Sequence, residues 1–346
     1  MRQIIPGTER FVGQTVPGVG TDTVSTYAQE LFGEQLQEFY RLTLVQTTML
    51  KEAYFHNVKG PKLQMSNLLF PPGQLVGGLG ERELVAAADM ATPVFDDVEF
   101  TPKPFEMNTP IGTKEFVYFN IEQQGIIGTL QEQLGIAYMN DLELQAISSD
   151  TLGSTPAGYH TGNLTTVDGW MKKGLDGHVY DRAGGYVSPS LFLNLFQKLP
   201  VKWRSEPYRS KLRFFCPPTV VDMFNAWMVA KNVFNLSDFA LVEGNKLTYS
   251  GIPLVPVPLI SVNQKGVLTL SGTTSGLTSI LLTAPENLVV AYEPQMTVHV
   301  GLRPEDGKVL YTHLHGLYDF GFVITDWVAE APNVVPQLDP TLLATL

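Results

Sequence analysis

The residues best suited by type and spacing to chemistry are two histidines and an aspartate late in the chain. His313 and His315 are separated by one residue in a β-forming stretch, and Asp319 follows four positions after His315. Residues two apart on a strand point to the same face, so both imidazoles can approach one metal ion. The alternative is a strand that carries two histidines on a polar face.

The same segment resembles the first motif of cupin metal enzymes, with Gly307 six positions before His313. It departs from that motif because Asp319 stands where the motif has Glu, the following glycine is misplaced and no histidine follows His315. We therefore predict no metal and no other cofactor. A cupin-like metal enzyme that uses His313, His315 and Asp319 is kept as an alternative.

The remaining candidates for catalysis lack partners in the sequence. Acidic pairs occur at Glu81 and Glu83, Asp96 and Asp97, and Asp141 and Glu143. None has a neighbouring histidine or nucleophile, so no general acid and base can be assigned. The only cysteine, Cys216, follows apolar residues and precedes two prolines, which predicts a buried, inert thiol and excludes an internal disulfide. The common nucleotide, hydrolase and metalloprotease motifs are absent, and we predict that the protein is not an enzyme.

Charge is unevenly distributed along the chain. The 346 residues contain 23 Lys and Arg against 34 Asp and Glu, a net charge of −11, which argues against a general nucleic-acid coat. Residues 168–213 nevertheless hold nine basic and four acidic side chains. The basic ones are Lys172, Lys173, Arg182, Lys198, Lys202, Arg204, Arg209, Lys211 and Arg213. This region is either a solvated face or a contact for an acidic partner, a second copy or nucleic acid.

The first third of the chain predicts extended structure and one helix. Residues 1–30 are rich in glycine and predict an extended arm, 34–56 predict a helix, and 58–80 predict a loop. Residues 94–105 and 114–121 predict a two-stranded ribbon with its turn at 107–113. Prolines in the first strand remove ladder donors, so the ribbon is expected to be exposed or at an edge, and it is too thin to be stable alone.

The rest of the chain alternates helices and strands, so the expected fold class is α+β. Helical periodicity predicts a long helix over 125–147 and shorter ones over 188–199 and 219–231, with a Gly-rich connection after the first. Strands are predicted at 211–216, 279–283, 297–301, 309–315 and 318–328. The stretch 247–260 is apolar but contains Pro253, Pro256 and Pro258, which predicts an extended segment at a sheet edge. No apolar run reaches the roughly 18 residues that span a membrane, and no secretory signal is present, so a soluble cytoplasmic product is expected.

The order of these elements resembles that of the major capsid proteins of tailed double-stranded DNA bacteriophages, whose shell fold was first described for phage Hong Kong 97. Four stretches are similar to segments of that family. They are Leu31-Phe-Gly-Glu-Gln-Leu-Gln-Glu-Phe39 in the arm, Asp141-Leu-Glu-Leu-Gln-Ala-Ile147 at the end of the spine helix, Tyr249-Ser-Gly-Ile-Pro-Leu-Val-Pro256 in the axial domain, and Ala284-Pro-Glu-Asn-Leu-Val-Val-Ala-Tyr292 where the chain re-enters the peripheral domain.

The resemblance implies a Hong Kong 97-type domain plan. Residues 1–70 form the arm and helix, 71–123 the extended β-ribbon, 124–187 the peripheral domain with its spine helix, 188–278 the axial domain, and 279–346 the remaining peripheral strands. Two sets of residues are expected at subunit interfaces. They are Asn108, Thr109, Pro110, Ile111, Gly112 and Thr113 at the ribbon tip, and Gly251, Pro253, Pro256 and Pro258 in the axial domain.

The resemblance also implies partners. We expect a homo-oligomer of pentamers and hexamers that encloses double-stranded DNA without sequence-specific binding, located in the virion and assembled in the bacterial cytoplasm. Because the arm begins close to Met1, a separate scaffolding protein is expected, with a portal and decoration proteins as further partners. No isopeptide crosslink is predicted, although Lys103 and Lys114 lie in the ribbon. An encapsulin-like compartment that encloses an enzyme is the second alternative.

Overall fold

The computed structural model describes most of the chain. It covers residues 27–32, 47–60, 62–69, 94–112, 123–153, 164–181, 185–230, 247–260, 278–293, 295–302 and 309–338. The strands are β1 Tyr27–Phe32, β2 Tyr54–Asn57, β3 Leu63–Leu69, β4 Val94–Phe100, β5 Lys103–Gly112, β6 His178–Val179, β7 Tyr186–Val187, β8 Arg213–Cys216, β9 Thr248–Tyr249, β10 Ile252–Pro256, β11 Thr278–Thr283, β12 Leu288–Tyr292, β13 Gln295–Leu302, β14 Val309–Phe322 and β15 Ala329–Leu338. The α-helices are α1 Gln123–Ser148, α2 Trp170–Gly174, α3 Pro189–Lys198, α4 Val201–Arg204 and α5 Pro218–Ala230.

The three longest helices lie where periodicity predicts them. α1, α3 and α5 begin and end within two residues of the predicted bounds, and the α+β class is confirmed. At 1.5 Å per residue, α1 is about 39 Å long. It buries Leu134, Tyr138, Leu142 and Ala146, the stripe that its sequence predicts. Among the described helices, none combines the length and hydropathy that crossing a bilayer requires.

The first sheet is organised around β14. Its strand order is β1-β13-β14-β12-β2, and β5 pairs with β14 along its other side. β14 is long enough to pair with β13 through residues 310–315 and with β12 through residues 318–322. β14 therefore brings strands from the first third of the chain and the late strands β12 and β13 into one sheet. The strands from the first third are β1, β2 and β5.

The second sheet is covered on both faces. Its order is β6-β15-β11-β8-β10-β9, and β7 also pairs with β15. Successive side chains of a strand point to opposite faces. In β8, Phe215 joins the core under α1, whereas Phe214 and Cys216 join the core under α3 and α5. Burial on both faces explains the unbroken apolar runs Phe214–Cys216 of β8 and Ile280–Leu282 of β11.

Part of the predicted helix over 34–56 is wrong. Residues 33–46 lie outside the described part of the chain, but Tyr54–Asn57 is strand β2, which pairs in parallel with β12. The residues just before it form a 3₁₀ turn, Leu50–Glu52, whose entry is held by a side chain of α1. The apolar spacing just before residue 57 is compatible with a helix and with a strand. Pairing with β12, which is distant in the sequence, selects the strand.

The predicted pairing of the ribbon is also wrong. β4 pairs with β3, in the region predicted as loop, with Leu63 opposite Phe100 and Met65 opposite Val98. These four side chains share one face, which packs against Val58, Val289 and Ala291 of the body. The apolar face therefore selects β3 as the partner, and the second predicted strand, 114–121, lies outside the described residues.

The turn predicted at 107–113 is likewise wrong for residues 107–112. They belong to β5, which pairs with β14 from Lys103 opposite Tyr318 to Gly112 opposite Val309. In the described part of the chain, β5 has no other partner strand. The edge position that Pro104 predicts is therefore confirmed, because a proline is tolerated where no donor is needed.

Candidate functional site

The two histidines of the candidate metal site do share one face of β14. Their rings are 6.2 Å apart with an angle of 21° between their planes. Each has a partner on β5: His313 Nδ1 forms a hydrogen bond with Asn108 Oδ1, and His315 Nε2 lies 3.9 Å from Glu106 Oε1. The prediction that His313 and His315 lie on the same face of a strand is confirmed. Residues of β5 contact both imidazoles.

Asp319 lies in a hydrogen-bond network rather than in the metal site that the cupin-like alternative requires. Its side chain is buried, and its two oxygens accept hydrogen bonds from Thr101 N at 2.7 Å and from Lys173 Nζ at 3.1 Å. Within the described residues, no three His, Cys, Asp or Glu side chains are close enough together to hold a metal ion. The geometry gives no support to the cupin-like alternative.

The contacts of Asp319 fix the base of the pair of strands β3 and β4, which takes the place of the predicted ribbon and keeps that name. Thr101 lies at the corner between β4 and β5, and Lys173 lies on α2, so one carboxylate ties three elements together. Lys173 Nζ also lies 5.7 Å from the centre of the Phe100 ring and donates to the Phe320 carbonyl. The direction in which the ribbon leaves the body is therefore set by a buried polar cluster.

The basic region does not form one continuous site. Lys172 lies 3.6 Å from Asp150, Lys173 binds Asp319, and Lys211 lies 2.6 Å from Glu286. Arg209 donates two hydrogen bonds to Ser250, at 2.7 Å to its carbonyl and 2.8 Å to its hydroxyl. These side chains stabilise the fold.

Other residues of the basic region are exposed to solvent or have a nitrogen without a hydrogen-bond partner. Lys198 and Lys202 are exposed on α3 and α4. Arg204 Nε is buried without a hydrogen-bond partner. Arg182 lies outside the described residues. Among the described basic residues of this region, Lys198 and Lys202 are the exposed ones outside an ion pair.

The acidic pair on α1 is split between solvent and core. Asp141 is exposed, whereas Glu143 is buried and its Oε1 accepts backbone hydrogen bonds from Thr48 at 2.7 Å, Met49 at 2.5 Å and Leu50 at 3.3 Å. Burial raises the pKa of Glu143, and the three backbone donors oppose that rise. Glu143 anchors the segment before β2 to the long helix, a role that the sequence does not indicate.

Of the remaining candidates, the structure describes the side chains of Asp97 and Cys216. Asp97 is exposed and accepts a hydrogen bond from Gln64 at 3.0 Å. Glu81, Glu83 and the Asp96 side chain lie outside what the structure describes. Cys216 is a free, fully buried thiol, as predicted, and burial raises its pKa far above its ordinary value.

The hydrogen-bond pattern of β10 accommodates Pro256, whereas Pro258 begins a 3₁₀ turn, Pro258–Ile260, so the predicted extended form of 247–260 is wrong for its last three residues. Val257 N donates to Cys216 of β8, whereas Leu254 N donates to Leu247 on the opposite side. Amides alternate in direction along a strand, so an amide at Pro256 would point away from β8. No described residue pairs with that outer side beyond Leu247. β10 is therefore the second strand from the edge of the sheet. Because β9 pairs with only the first half of β10, the outer side of the second half has no partner strand among the described residues.

The other predicted interface residues have mixed positions. Tyr249 and Ile252 close a two-residue hairpin in which Ser250 has φ 52° and Gly251 has φ 77°, a conformation that suits glycine. Gly251, Pro256 and Pro258 are exposed, as is Asn108, whereas Thr113 lies outside the described residues. An interface role for both sets stays a prediction.

Two surface features were not predicted. Leu193 and Val201 are large apolar side chains that are 41% and 68% exposed. The ribbon partner β3 was also missed. The alternation of Leu63 and Met65 with Gln64 mirrors that of Val98 and Phe100 with Asp97 and Glu99, and this pattern could have indicated the pairing.

Comparison with known proteins places the fold. No family model and no curated protein matches the sequence. A chain of the holo-SrpI encapsulin complex from Synechococcus elongatus PCC 7942 matches with a TM-score of 0.53 and 14% identity, covering 84% of this chain and 89% of that one. A chain of the satellite phage P4 procapsid, which includes size determination (Sid) protein, has a TM-score of 0.53 and 10% identity, covering 86% and 99%.

A third solved structure agrees with these two. A capsid chain of an empty GTA particle has a TM-score of 0.51 and 12% identity, covering 83% of this chain and 90% of that one. At such identities the comparison defines the fold alone. Because the correspondence extends over most of both chains, this protein has the fold of phage major capsid proteins, which the encapsulin subunit shares.

Proposed function

We propose that this chain is the major capsid protein of a tailed double-stranded DNA bacteriophage, a shell subunit of the Hong Kong 97 type that assembles into pentamers and hexamers. The observation that carries the proposal is the fold correspondence with chains of the P4 procapsid and the GTA capsid over 83–86% of this chain. The shell would enclose DNA without sequence-specific binding.

The ribbon supports a role in assembly. Two strands alone are only marginally stable in water. The apolar face of β3 and β4 has cover at its base from Val58, Val289 and Ala291, and the outer face carries exposed Asp97 and Glu99. A ribbon of this kind is expected to gain stability from a neighbouring subunit.

The domain plan inferred from the resemblance is part of the proposal. α1 would be the spine of the peripheral domain, and residues 188–278 would form the axial domain near the symmetry axis. Gly251, Pro256 and Pro258 are exposed at the hairpin and the end of β10, which suits contacts between axial domains. Asn108 is exposed on β5 and is retained as a proposed contact, together with the rest of 108–113.

Overall charge is compatible with enclosing DNA. A net charge of −11 keeps a protein wall from binding each phosphate strongly. Scaffolding, portal and decoration proteins, and a location in the virion after assembly in the bacterial cytoplasm, belong to the proposal.

An encapsulin-like compartment is the second candidate. The observation that favours it is the SrpI encapsulin chain, which fits as well as the P4 chain does, with a TM-score of 0.53 for each. The two functions differ in what the shell contains. Nuclease-protected DNA indicates a phage head, whereas a folded cargo enzyme indicates a compartment.

The test is assembly of the purified chain. We expect negative-stain electron microscopy and sedimentation velocity to show shells, capsomers or tubes. A protein that stays a compact monomer at high concentration with its scaffolding protein present would refute the proposal. Extraction of purified particles with phenol, after nuclease treatment of the exterior, then separates the two candidates.

A further inference from the structure

The short helix α2 lies between the two sheets. It packs on β14 of the first sheet and on β11 and β15 of the second. Its contacts with the first sheet are polar, because Trp170 Nε1 donates a hydrogen bond to Gly321 O at 3.0 Å and Lys173 Nζ lies 3.1 Å from Asp319 Oδ1. Both side chains of α2 therefore hold it to β14.

On the second sheet, α2 rests on a carboxyl group. Gly174 packs so closely on Glu330 of β15 that a Cβ atom at residue 174 would overlap Oε2. Glu330 is fully buried, and neither of its carboxyl oxygens has a hydrogen-bond partner. The Ser279 hydroxyl of β11 is buried without a partner as well. Since an unpaired charge is far more costly to bury than a neutral group, this contact suits a protonated Glu330.

The surroundings of Glu330 supply no charge that would offset its ionisation. Glu330 is the only ionisable residue of β15, and β11 has none. The ionisable side chains of α2, of β6 and of the turn between them pair with other carboxylates or are exposed. They are Lys172 with Asp150, Lys173 with Asp319, His178 with Asp326, and exposed Asp176. An ionised Glu330 therefore has to reach water.

The side of the contact that can move is α2. Glu330 is held in its sheet, because its strand pairs with β6 and β11 and its carbonyl accepts a hydrogen bond from Tyr180 N at 2.8 Å. Among the described residues, no hydrogen bond joins α2 to β11 or β15. Only packing closes this contact, so opening it at α2 breaks no ladder.

We propose that α2 is a pH-sensitive latch between the two sheets, closed on β15 while Glu330 is protonated and released when that proton is lost. Water then solvates the carboxylate. Because Trp170 and Lys173 keep α2 on β14, release separates the two sheets at this point and leaves α2 on the first. The latch is a property of one subunit and does not depend on the proposed function.

The test is labelling of a cysteine placed under α2. Met171 is buried and lies three positions before Gly174, on the same side of the helix. A thiol reagent reaches Met171→Cys when α2 leaves the sheet, and the native Cys216, which is buried in the other core, is the reference in the same molecule. Peptide mass spectrometry reads both rates. Division by the rates of the urea-unfolded chain at the same pH removes the effect of thiol ionisation.

Labelling at residue 171 should increase with pH. The open form releases the Glu330 proton at its ordinary pKa of 4.5 and the closed form retains it, since burial raises the pKa of Glu330. From about pH 5 upward, labelling should therefore rise about tenfold per pH unit until the pH passes the pKa of the closed form. It should exceed labelling at Cys216 by at least about tenfold and depend little on low urea, as local opening does.

Two variants separate the latch from other effects of pH. Glu330→Gln cannot ionise, so labelling at residue 171 should lose its dependence on pH. Asp176→Asn removes an exposed carboxylate from the turn after α2, and it is the matched control that should keep the rise. Circular dichroism should confirm that each variant is folded.

Three results would overturn the latch. They are labelling at residue 171 that does not change with pH, a rise that persists in Glu330→Gln, and equal rates at residues 171 and 216, which would mean that the whole subunit opens. If Met171→Cys does not fold, hydrogen exchange of the unmodified chain gives the same decision. Amides of 170–174 should then lose protection as the pH rises and exchange at least about tenfold faster than those of 189–198, after correction for intrinsic rates. Equal protection of the two helices would contradict the latch.

Discussion

The most informative single substitution is Glu330→Gln in the core of the second sheet. Glu330 lies on β15, opposite Leu281 of β11 and beside Val179 of β6. Its side chain is fully buried, and neither carboxyl oxygen has a hydrogen-bond partner. One oxygen packs so closely over Gly174 of α2 that a Cβ atom there would lie 2.4 Å from it.

Burial raises the pKa of Glu330 well above its ordinary value of 4.5. The hydroxyl of Ser279 favours the charged form, but its Oγ is itself buried without a hydrogen-bond partner, so it is too poorly aligned to offset burial. A buried carboxyl in an apolar core holds its proton, because ionisation there would leave an unpaired charge.

The expected effect is a dependence of stability on pH. Above pH 4.5 the unfolded chain releases this proton and the folded chain retains it, so rising pH favours the unfolded state. The stability that protonated Glu330 contributes is fully present below its pKa in the unfolded chain. It is lost as the pH rises through its pKa in the folded protein. In that window it amounts to about 1.4 kcal/mol per pH unit. Glutamine cannot ionise, so Glu330→Gln should lack this slope.

The assay is urea unfolding followed by tryptophan fluorescence at low protein concentration, at half-unit steps from pH 5 upward. The difference in unfolding free energy between Glu330→Gln and wild type should increase with pH in favour of the variant. Glu286→Gln, at an exposed carboxylate paired with Lys211, is the matched control and should change stability by less than about 1 kcal/mol at every pH. Parallel curves for wild type and Glu330→Gln would refute a protonated Glu330.

Three further predictions concern the contacts described above. Glu143→Ala should destabilise the protein by about 2 kcal/mol, because two buried amides and one partly buried amide lose their acceptor, and hydrogen exchange should show selective loss of protection at residues 48–50; unchanged protection would contradict the anchoring role. Pro256→Val with Pro258→Val should raise aggregation of unassembled subunits more than it alters their fold, since the new amide at 256 adds a donor to an open edge, and unchanged soluble yield and shell formation would exclude this. Cys216 should react with a thiol reagent only after unfolding, and rapid labelling of native protein would show that β8 opens.

The helices were predictable because their signal is local. The stripe from Leu134 to Ala146 and the Ser188-Pro189 start define α1 and α3 without knowledge of any partner. Burial of Cys216 and the extended form of β10 are local in the same sense, since each follows from neighbouring apolar residues and prolines. The order of these elements is what made the fold recognisable.

Strand pairing was not predictable to the same degree. β4 has an apolar face that matches several strands, and only the packing of Leu63 and Met65 on the body selects β3. Tyr54–Asn57 suits a helix or a strand, and the free edge of β12 decides it. A pairing partner is a property of two distant segments and of the surface under them.

Side-chain roles depended on tertiary structure most of all. By sequence, Glu143 is a polar residue of an amphipathic helix, Asp319 a ligand only in the cupin-like alternative, and Lys173 part of a basic region. In the structure, Glu143 anchors backbone amides, and Lys173 and Asp319 form a partly buried ion pair. The sequence by itself determined the three long helices and their order along the chain, because propensity and periodicity act within a few residues. Only the tertiary structure decided which strands pair and which charges are neutralised, because both depend on groups that can be more than two hundred positions apart in the sequence.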